Sequence, residues 1–233
     1  MSGVPITIVM TTWAPEGDTG ALRLISAKAA LDSWLKYLDY PNLRLHVADD
    51  GSIYNAYGTN WENPPCSWWG DPEKVSFSRQ ERRGLGASLN EGLRRAFEFS
   101  PLVAYFMDDW AVSAPYDLKP WADLLLKNES IGAVRLGCPH PDLTGRVHHF
   151  IGGWGLILDR HHFAFSYRPT LFHRRFFEAY GAFEEGVDAY NCEQKYSEAF
   201  NILPGPDILY ALRDPWEHAG RAELAHIVPG GKA

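Results

Sequence analysis

Two pairs of adjacent aspartates, each closing an apolar stretch, are the residues of this sequence best placed to do chemistry. Met107-Asp108-Asp109-Trp110 follows the uninterrupted run Leu102-Val-Ala-Tyr-Phe, which is bounded by Pro101. Such a run reads as a strand buried on both faces. Two carboxylates at its end are costly unless positive charge compensates them. Asp49-Asp50-Gly51-Ser52 follows the alternating segment Leu43-Arg-Leu-His-Val-Ala in the same way. Ligands of open α/β sheets gather beyond the carboxyl ends of strands. Paired hard oxygen ligands at that edge suit Mg²⁺ or Mn²⁺ carrying a diphosphate. The plainer reading is a solvated turn with helix-capping aspartates, and the second acidic pair favours a site over it.

A third strand, Ile6-Thr-Ile-Val-Met, ends in Thr11-Thr12-Trp13. Trp13 offers a face for stacking a nucleobase, a contact that discriminates poorly among bases; simple core packing is its ordinary alternative. Thr11 and Asp50 can hydrogen-bond a base or ribose. Arg82 and Arg83 precede Gly84-x-Gly86 and a helix start, where guanidinium donors and a helix N-terminus favour phosphate. A solvated charge run is the competing reading of that pair.

The elements that must position these groups follow from periodicity. Leu24, Ala27, Leu31, Leu35 and Leu38 predict a helix over residues 20–38, with Asp18 or Thr19 as its cap. A turn at Asp39-Tyr-Pro-Asn42 leads to the strand 43–49, which makes a β-α-β unit with a right-handed parallel crossover. Residues 53–73, with Trp61, Trp68, Trp69 and Pro64-Pro65, read as a long loop. A strand is expected at 74–78, helices at 86–99 and 117–128, and strands at 102–107 and 131–137. That order predicts an α/β protein with a mostly parallel sheet. The second half is less regular. Phe150 to Leu158 reads as one Gly-broken strand, Phe172–Tyr180 and Glu193–Phe200 as helices, and Leu224–Val228 as a short final segment.

Bulk properties narrow the classes. The 233 residues, 45% of them hydrophobic, suffice for one domain with a full core. A net charge of −7 supplies no global field for nucleic acid or an anionic membrane. Three widely spaced cysteines, Cys66, Cys138 and Cys192, form no disulfide framework and suit a reducing, cytoplasmic compartment. No signal peptide and no membrane span is read. Cys138, His140, His148 and His149 match no standard zinc spacing, and that loop is read as acceptor-facing instead.

Together these segments resemble family-2 glycosyltransferases of the GT-A fold. Ala48-Asp49-Asp50-Gly51-Ser52 resembles the family's Val-Asp-Asp-Gly-Ser block. Gly84-Leu-Gly-Ala-Ser-Leu-Asn90-Glu-Gly92-Leu is similar to its Gly-x-x-x-Ala-x-Asn-x-Gly segment, and Met107-Asp108-Asp109 to its DXD-like motif. Phe172-His-Arg-Arg-Phe-Phe-Glu-Ala-Tyr-Gly181-Ala-Phe resembles the acceptor-side helix. Asn191-Cys192-Glu193-Gln194 falls where Glu-Asp is usual, and Trp216-Glu-His218-Ala-Gly220 resembles the C-terminal His-x-Gly.

The resemblance implies one GT-A domain over 1–233. A nucleotide-sugar half spans about 1–112 and an acceptor half about 113–233. It implies a donor that is a nucleoside-diphosphate sugar, with Asp109 and His218 on Mn²⁺ or Mg²⁺ and Asp108 on the sugar or ribose. Glu193 is the first candidate for general base and Asp188 the second, because Gln194 replaces the usual aspartate. An in-line attack by the activated hydroxyl would invert the anomeric centre. The acceptor stays open among a protein side chain, a glycan, a lipid-linked sugar and a modified DNA base. A nucleotidyltransferase would call for a basic Gly-rich loop after strand one, where Thr-Thr-Trp-Ala-Pro-Glu stands. A non-catalytic sugar-nucleotide or glycan-binding module is the remaining alternative.

Overall fold

The computed structural model describes residues 3–53, 72–136, 145–150, 153–158, 166–211 and 215–218. The first half runs β1 (Ile6–Thr12), α1 (Asp18–Tyr37), β2 (Leu38–Asp39), β3 (Leu43–Asp49), β4 (Val75–Arg79), α2 (Leu85–Ala96) and β5 (Leu102–Met107). There follow β6 (Trp110–Val112), β7 (Tyr116–Asp117), α3 (Lys119–Lys127), β8 (Ile131–Arg135), β9 (Gly145–Phe150) and β10 (Gly153–Leu158). The chain continues through β11 (Thr170–His173), α4 (Arg174–Tyr180), α5 (Ala189–Ile202), β12 (Asp207–Ala211) and β13 (Trp216–His218).

Nine strands form one mixed sheet in the order β4-β3-β1-β5-β11-β8-β12-β10-β9. All but β10 and β11 run the same way, so the sheet is mostly parallel with helices on both faces. Side-chain alternation along the strands divides the core in two. Ile6, Ile8, Met10, Leu102, Ala104 and Phe106 face α1 and α3, where Trp34, Leu125 and Trp216 complete the packing. Val9, Val103 and Tyr105 face α2, α4 and α5, where Leu89, Phe176, Tyr196 and Phe200 pack. Among the described residues no helix is long and apolar enough to cross a membrane.

Several boundaries differ from the periodicity reading, each for a physical reason. The first helix begins at Asp18 behind Gly17, with no side-chain cap, and Leu38–Asp39 leaves it to pair with β7. The expected helix from Phe172 starts at Arg174, because Thr170–His173 is drawn into the sheet between β5 and β8. The strand expected over 150–158 is β10, and it pairs antiparallel with β9, which periodicity did not find. Helix α5 starts four residues before Glu193 and is capped by Asp188, so Glu193 lies within the helix and not at its start. Residues 54–71, with Trp61, Trp68 and Trp69, lie outside the described residues, as do Cys138, His140 and the 224–228 segment.

Buried on β3, His46 bonds Ser76 Oγ and Ser78 Oγ of β4 at 2.8 and 3.0 Å. Burial, with Arg95 and Arg94 on α2 opposing Glu91, pushes its pKa down to about 4. The fold therefore excludes a proton that the unfolded chain accepts below pH ~6.5. Stability present above that pH is lost as pH falls toward 4, by about 3 kcal/mol for this residue. His46→Gln keeps hydrogen-bonding capacity without the titration. Its unfolding free energy, from urea curves at about pH 7 and pH 4.5, should fall less than the wild type's by about 2 kcal/mol. Equal losses would assign the acid sensitivity elsewhere.

Candidate active site

Register brings three carboxyl ends together. In the parallel β3-β1-β5 core, Thr12 aligns with Asp49 and Thr11 with Met107. The backbone N–H of Asp50 donates to the Thr12 carbonyl at 2.9 Å, which continues the pairing beyond the strands. Residues 11–13, 49–50 and 107–109 therefore share one edge. All of these but Asp49 and Asp109 border a cavity of about 350 Å³ whose wall includes Thr11, Trp13, Arg23, Asp50, Arg82 and Asp108.

The two aspartates at the end of β3 have different work. Asp49, buried, accepts from the Ser52 backbone N–H at 3.1 Å and from Ser52 Oγ, and lies 3.4 Å from Arg79 Nε. Burial raises its pKa, against those hydrogen bonds and the Arg79 charge. Asp50 borders the cavity, but its carboxylate also accepts from Gln80 Nε2 (3.0 Å), the Arg83 backbone N–H (2.9 Å) and the Gly84 backbone N–H (3.0 Å). It thereby ties the 80–84 loop to the end of β3.

That loop leads into α2, and the 84–92 segment explains itself in contacts. Gly84 has φ +92°, a left-handed geometry that glycine reaches without strain. A Cβ at Gly86 would lie 2.1 Å from the Glu184 carbonyl oxygen, so only glycine lets the helix approach the 183–189 loop this closely. Asn90 then holds Phe183 by both backbone groups, each bond at 2.9 Å. These contacts carry Val187, Asp188 and Ala189 to the opposite wall of the cavity.

Asp108 is buried at the turn after β5. Its Oδ2 accepts from Thr12 Oγ1 at 3.0 Å and its Oδ1 lies 3.3 Å from Arg23 Nη2. Burial pushes its pKa up to about 6, opposed by Arg23 and reinforced by the neighbouring Asp109. The turn is thus short of positive charge. Strand β13 pairs with β6 so that His218 stands opposite Trp110, the residue after Asp109. The backbone therefore brings the two expected metal ligands to adjacent strand ends. Among the described residues no three His, Cys, Asp or Glu side chains cluster as a complete metal set.

The remaining candidates separate. Thr11 Oγ1 engages Tyr105 Oη at 3.0 Å while bordering the cavity. The half-buried Trp13 ring carries the Arg82 guanidinium 3.7 Å from its centroid, so Arg82 is held at the cavity by a cation–π contact. Arg83 turns away, pairing with Glu185. Asp188 borders the cavity as the cap of α5, and the Asn191 hydrogen bonds pull its pKa down. Glu193 does not border the cavity; it is half-buried and accepts from the Tyr167 backbone N–H at 2.7 Å. Burial raises its pKa, against that bond and the charges of Arg135 and Arg168.

Arg23, Gln80 and Tyr105 are working parts of this site that periodicity did not find. Arg23 lies on a helix otherwise read by its apolar stripe. A cation in the second turn of the helix that follows β1, with an uncompensated acidic pair elsewhere, was its one signal.

Comparison with known proteins decides the family. The model of glycosyl transferase family 2 matches residues 26–184, more than half of the sequence. The chain belongs to that family. No curated protein matches it. Among solved structures it is similar to S. aureus TarS 1-349 in complex with UDP-GlcNAc, at 13% identity and a TM-score of 0.58, covering 92% of this chain and 60% of that one. It is also similar to GalNAc-T7 with UDP, GalNAc and Mn²⁺, at 15% identity and a TM-score of 0.62, covering 90% and 42%. The chain thus spans less than two thirds of either neighbour, and likeness at this identity establishes the shared GT-A glycosyltransferase fold.

Asp50 supplies a test of the site's framework. Asp50→Ala leaves two backbone N–H groups at the loop without their carboxylate. Unfolding free energy should drop by about 1.5–3 kcal/mol, the range for hydrogen bonds to a charged group. Urea denaturation measures it, and a loss below about 0.5 kcal/mol would show that the loop is held otherwise.

Proposed function

We propose that this chain transfers a sugar from a nucleoside-diphosphate donor to an acceptor hydroxyl, with inversion and with a divalent metal. The observation that carries this reading is the cavity at the joint carboxyl edge of β3, β1 and β5, walled by Asp50, Asp108, Arg23 and Arg82, on a chain of glycosyl transferase family 2. The neighbours in complex with UDP-GlcNAc, or with UDP, GalNAc and Mn²⁺, support a sugar-nucleotide donor here.

Each wall has a part in this reading. Trp13 stacks the base, with Thr11 and Asp50 beside it to orient the ribose. Arg82, held over the Trp13 ring, and the N-terminus of α2 draw the diphosphate. Asp108 directs the sugar while Arg23 and Thr12 fix its carboxylate. Asp109 and His218 are the residues that would hold Mn²⁺ or Mg²⁺, and the charge deficit at the 108–109 turn fits a cation there. Such an ion supplies neutralisation of the leaving diphosphate.

Glu193 takes the acceptor proton as the acceptor oxygen bonds to the anomeric carbon and the bond to the diphosphate oxygen breaks. Asp188 borders the cavity, but its carboxylate is committed to capping α5. Glu193, outside the cavity wall and held by the Tyr167 N–H, stands where the family's Glu-Asp pair falls and keeps a raised pKa that suits a base. The three widely spaced cysteines continue to favour a cytoplasmic setting.

Donor binding separates the metal from the fold. With UDP-GlcNAc and UDP-GalNAc as first probes, Asp109→Ala should abolish Mn²⁺-dependent binding by calorimetry while its circular dichroism stays native. Full diphosphate release in EDTA would end the metal claim.

The base is tested by diphosphate release with donor and Mn²⁺. Glu193→Gln should keep donor affinity and lose about 10²–10⁴ in turnover, the span for general-base loss. Asp188→Asn should stay within about tenfold of wild type. The reverse pattern would move the role to Asp188.

A further inference from the structure

An arginine in the middle of the sheet is an expensive choice. Arg135 ends β8 with only 1% of its surface exposed, between Thr170 of β11 and Tyr210 of β12. A buried ion costs several kcal/mol unless partners compensate it, and an apolar residue of similar volume packs there more cheaply. Its guanidinium lies 5.4 Å from the Tyr210 ring centroid, and its Nη1 donates to Ser166 Oγ at 2.6 Å. The next residue, Tyr167, gives its backbone N–H to Glu193 Oε1 at 2.7 Å. The Tyr167 ring meets Tyr105 edge-on at 6.0 Å, and Tyr105 Oη bonds Thr11 Oγ1 at the cavity wall. A continuous line of contacts thus runs from Arg135 through the Ser166–Tyr167 segment to Glu193, and through Tyr105 to the cavity.

We propose that Arg135 is a positioning residue for Glu193: it anchors the Ser166–Tyr167 segment that holds the carboxylate and supplies the positive charge that balances it. The proposal rests on Glu193 being the base. Charged and titratable groups near Glu193 come from several elements: Arg135 on β8, Arg168 before β11, Tyr105 on β5, and Tyr167 and Cys192 alongside. The Tyr167 backbone N–H and the two arginines favour the ionised carboxylate, and of the two arginines Arg135 is the fully buried one, where its charge is least screened. Glu193 and Arg135 act on each other reciprocally: each favours the other's charged form while burial opposes both.

The sign of the effect is fixed. Without the arginine charge, a half-buried carboxylate holds its proton to higher pH. The test follows the Glu193 carboxyl by ¹³C NMR in Glu-labelled protein without ligand, its signal assigned by its loss in Glu193→Gln. Arg135→Met should raise the titration midpoint by about one pH unit, the lower end of the range for removing a nearby opposite charge. Arg135→Lys should bring it back toward wild type, which lost packing alone would not do. A wild-type midpoint in folded Arg135→Met overturns the proposal.

Should Arg135→Met not fold, Ser166→Ala removes the anchor and leaves the charge. Its midpoint should rise by a smaller amount, and an unmoved midpoint there also overturns the proposal. Diphosphate release from UDP-GlcNAc, measured alongside, keeps the two readings apart. Wild-type release in Glu193→Gln retires the base, whereas a moved midpoint in Arg135→Met still supports the coupling of Arg135 to Glu193.

Discussion

Three buried carboxylates crowded at one sheet edge are the constraint around which the site is built. Parallel register leaves no freedom here: once β3, β1 and β5 pair in phase, Asp49, Asp50 and Asp108 must end within the same small region. Like charges in low dielectric repel and each loses hydration. The fold meets that cost with a separate arrangement for each. Asp49 has Ser52 and Arg79, Asp50 has two backbone N–H groups and Gln80, and Asp108 has Thr12 and Arg23. Those arrangements draw in the 80–84 loop and α1, and so build the walls of the cavity.

The compensation is uneven, and the unevenness has consequences. Asp50 is enclosed by two backbone donors and the Gln80 amide, so it is a rigid fixture of the loop as well as a wall of the cavity. Asp108 retains a raised pKa despite Arg23, because burial and Asp109 outweigh one half-exposed guanidinium. A cationic ligand entering beside Asp109 would relieve that imbalance, so charge complementarity resides in the fold before anything binds.

On the far side of the Tyr105–Tyr167 contact, a second charged group is balanced in its own way. Glu193 relies on a backbone N–H and on arginines, one of them wholly buried. The two regions meet through aromatic packing, and not through an ion pair among the described residues. Tyr105, whose hydroxyl bonds Thr11 and whose ring touches Tyr167, is the point of contact between them.

Strand ends, acidic pairs and the 84–92 segment were legible in the linear chain because each is local. A buried parallel strand needs a continuous apolar run, and a carboxylate at its end stands out against it. Trp13, Arg82, Asp50 and Asp108 accordingly fall on one cavity. What tertiary structure alone decided was long-range. The four residues of β11 have no periodicity to speak for them; they become a strand because β5 and β8 offer two edges to pair with. Asp188 proves to cap α5, which moves Glu193 inside the helix. Arg83 prefers Glu185 to the cavity, and Arg23 and Arg135 find carboxylates far along the chain. A charge's partner is set by which surfaces the fold buries together, and no local pattern records that.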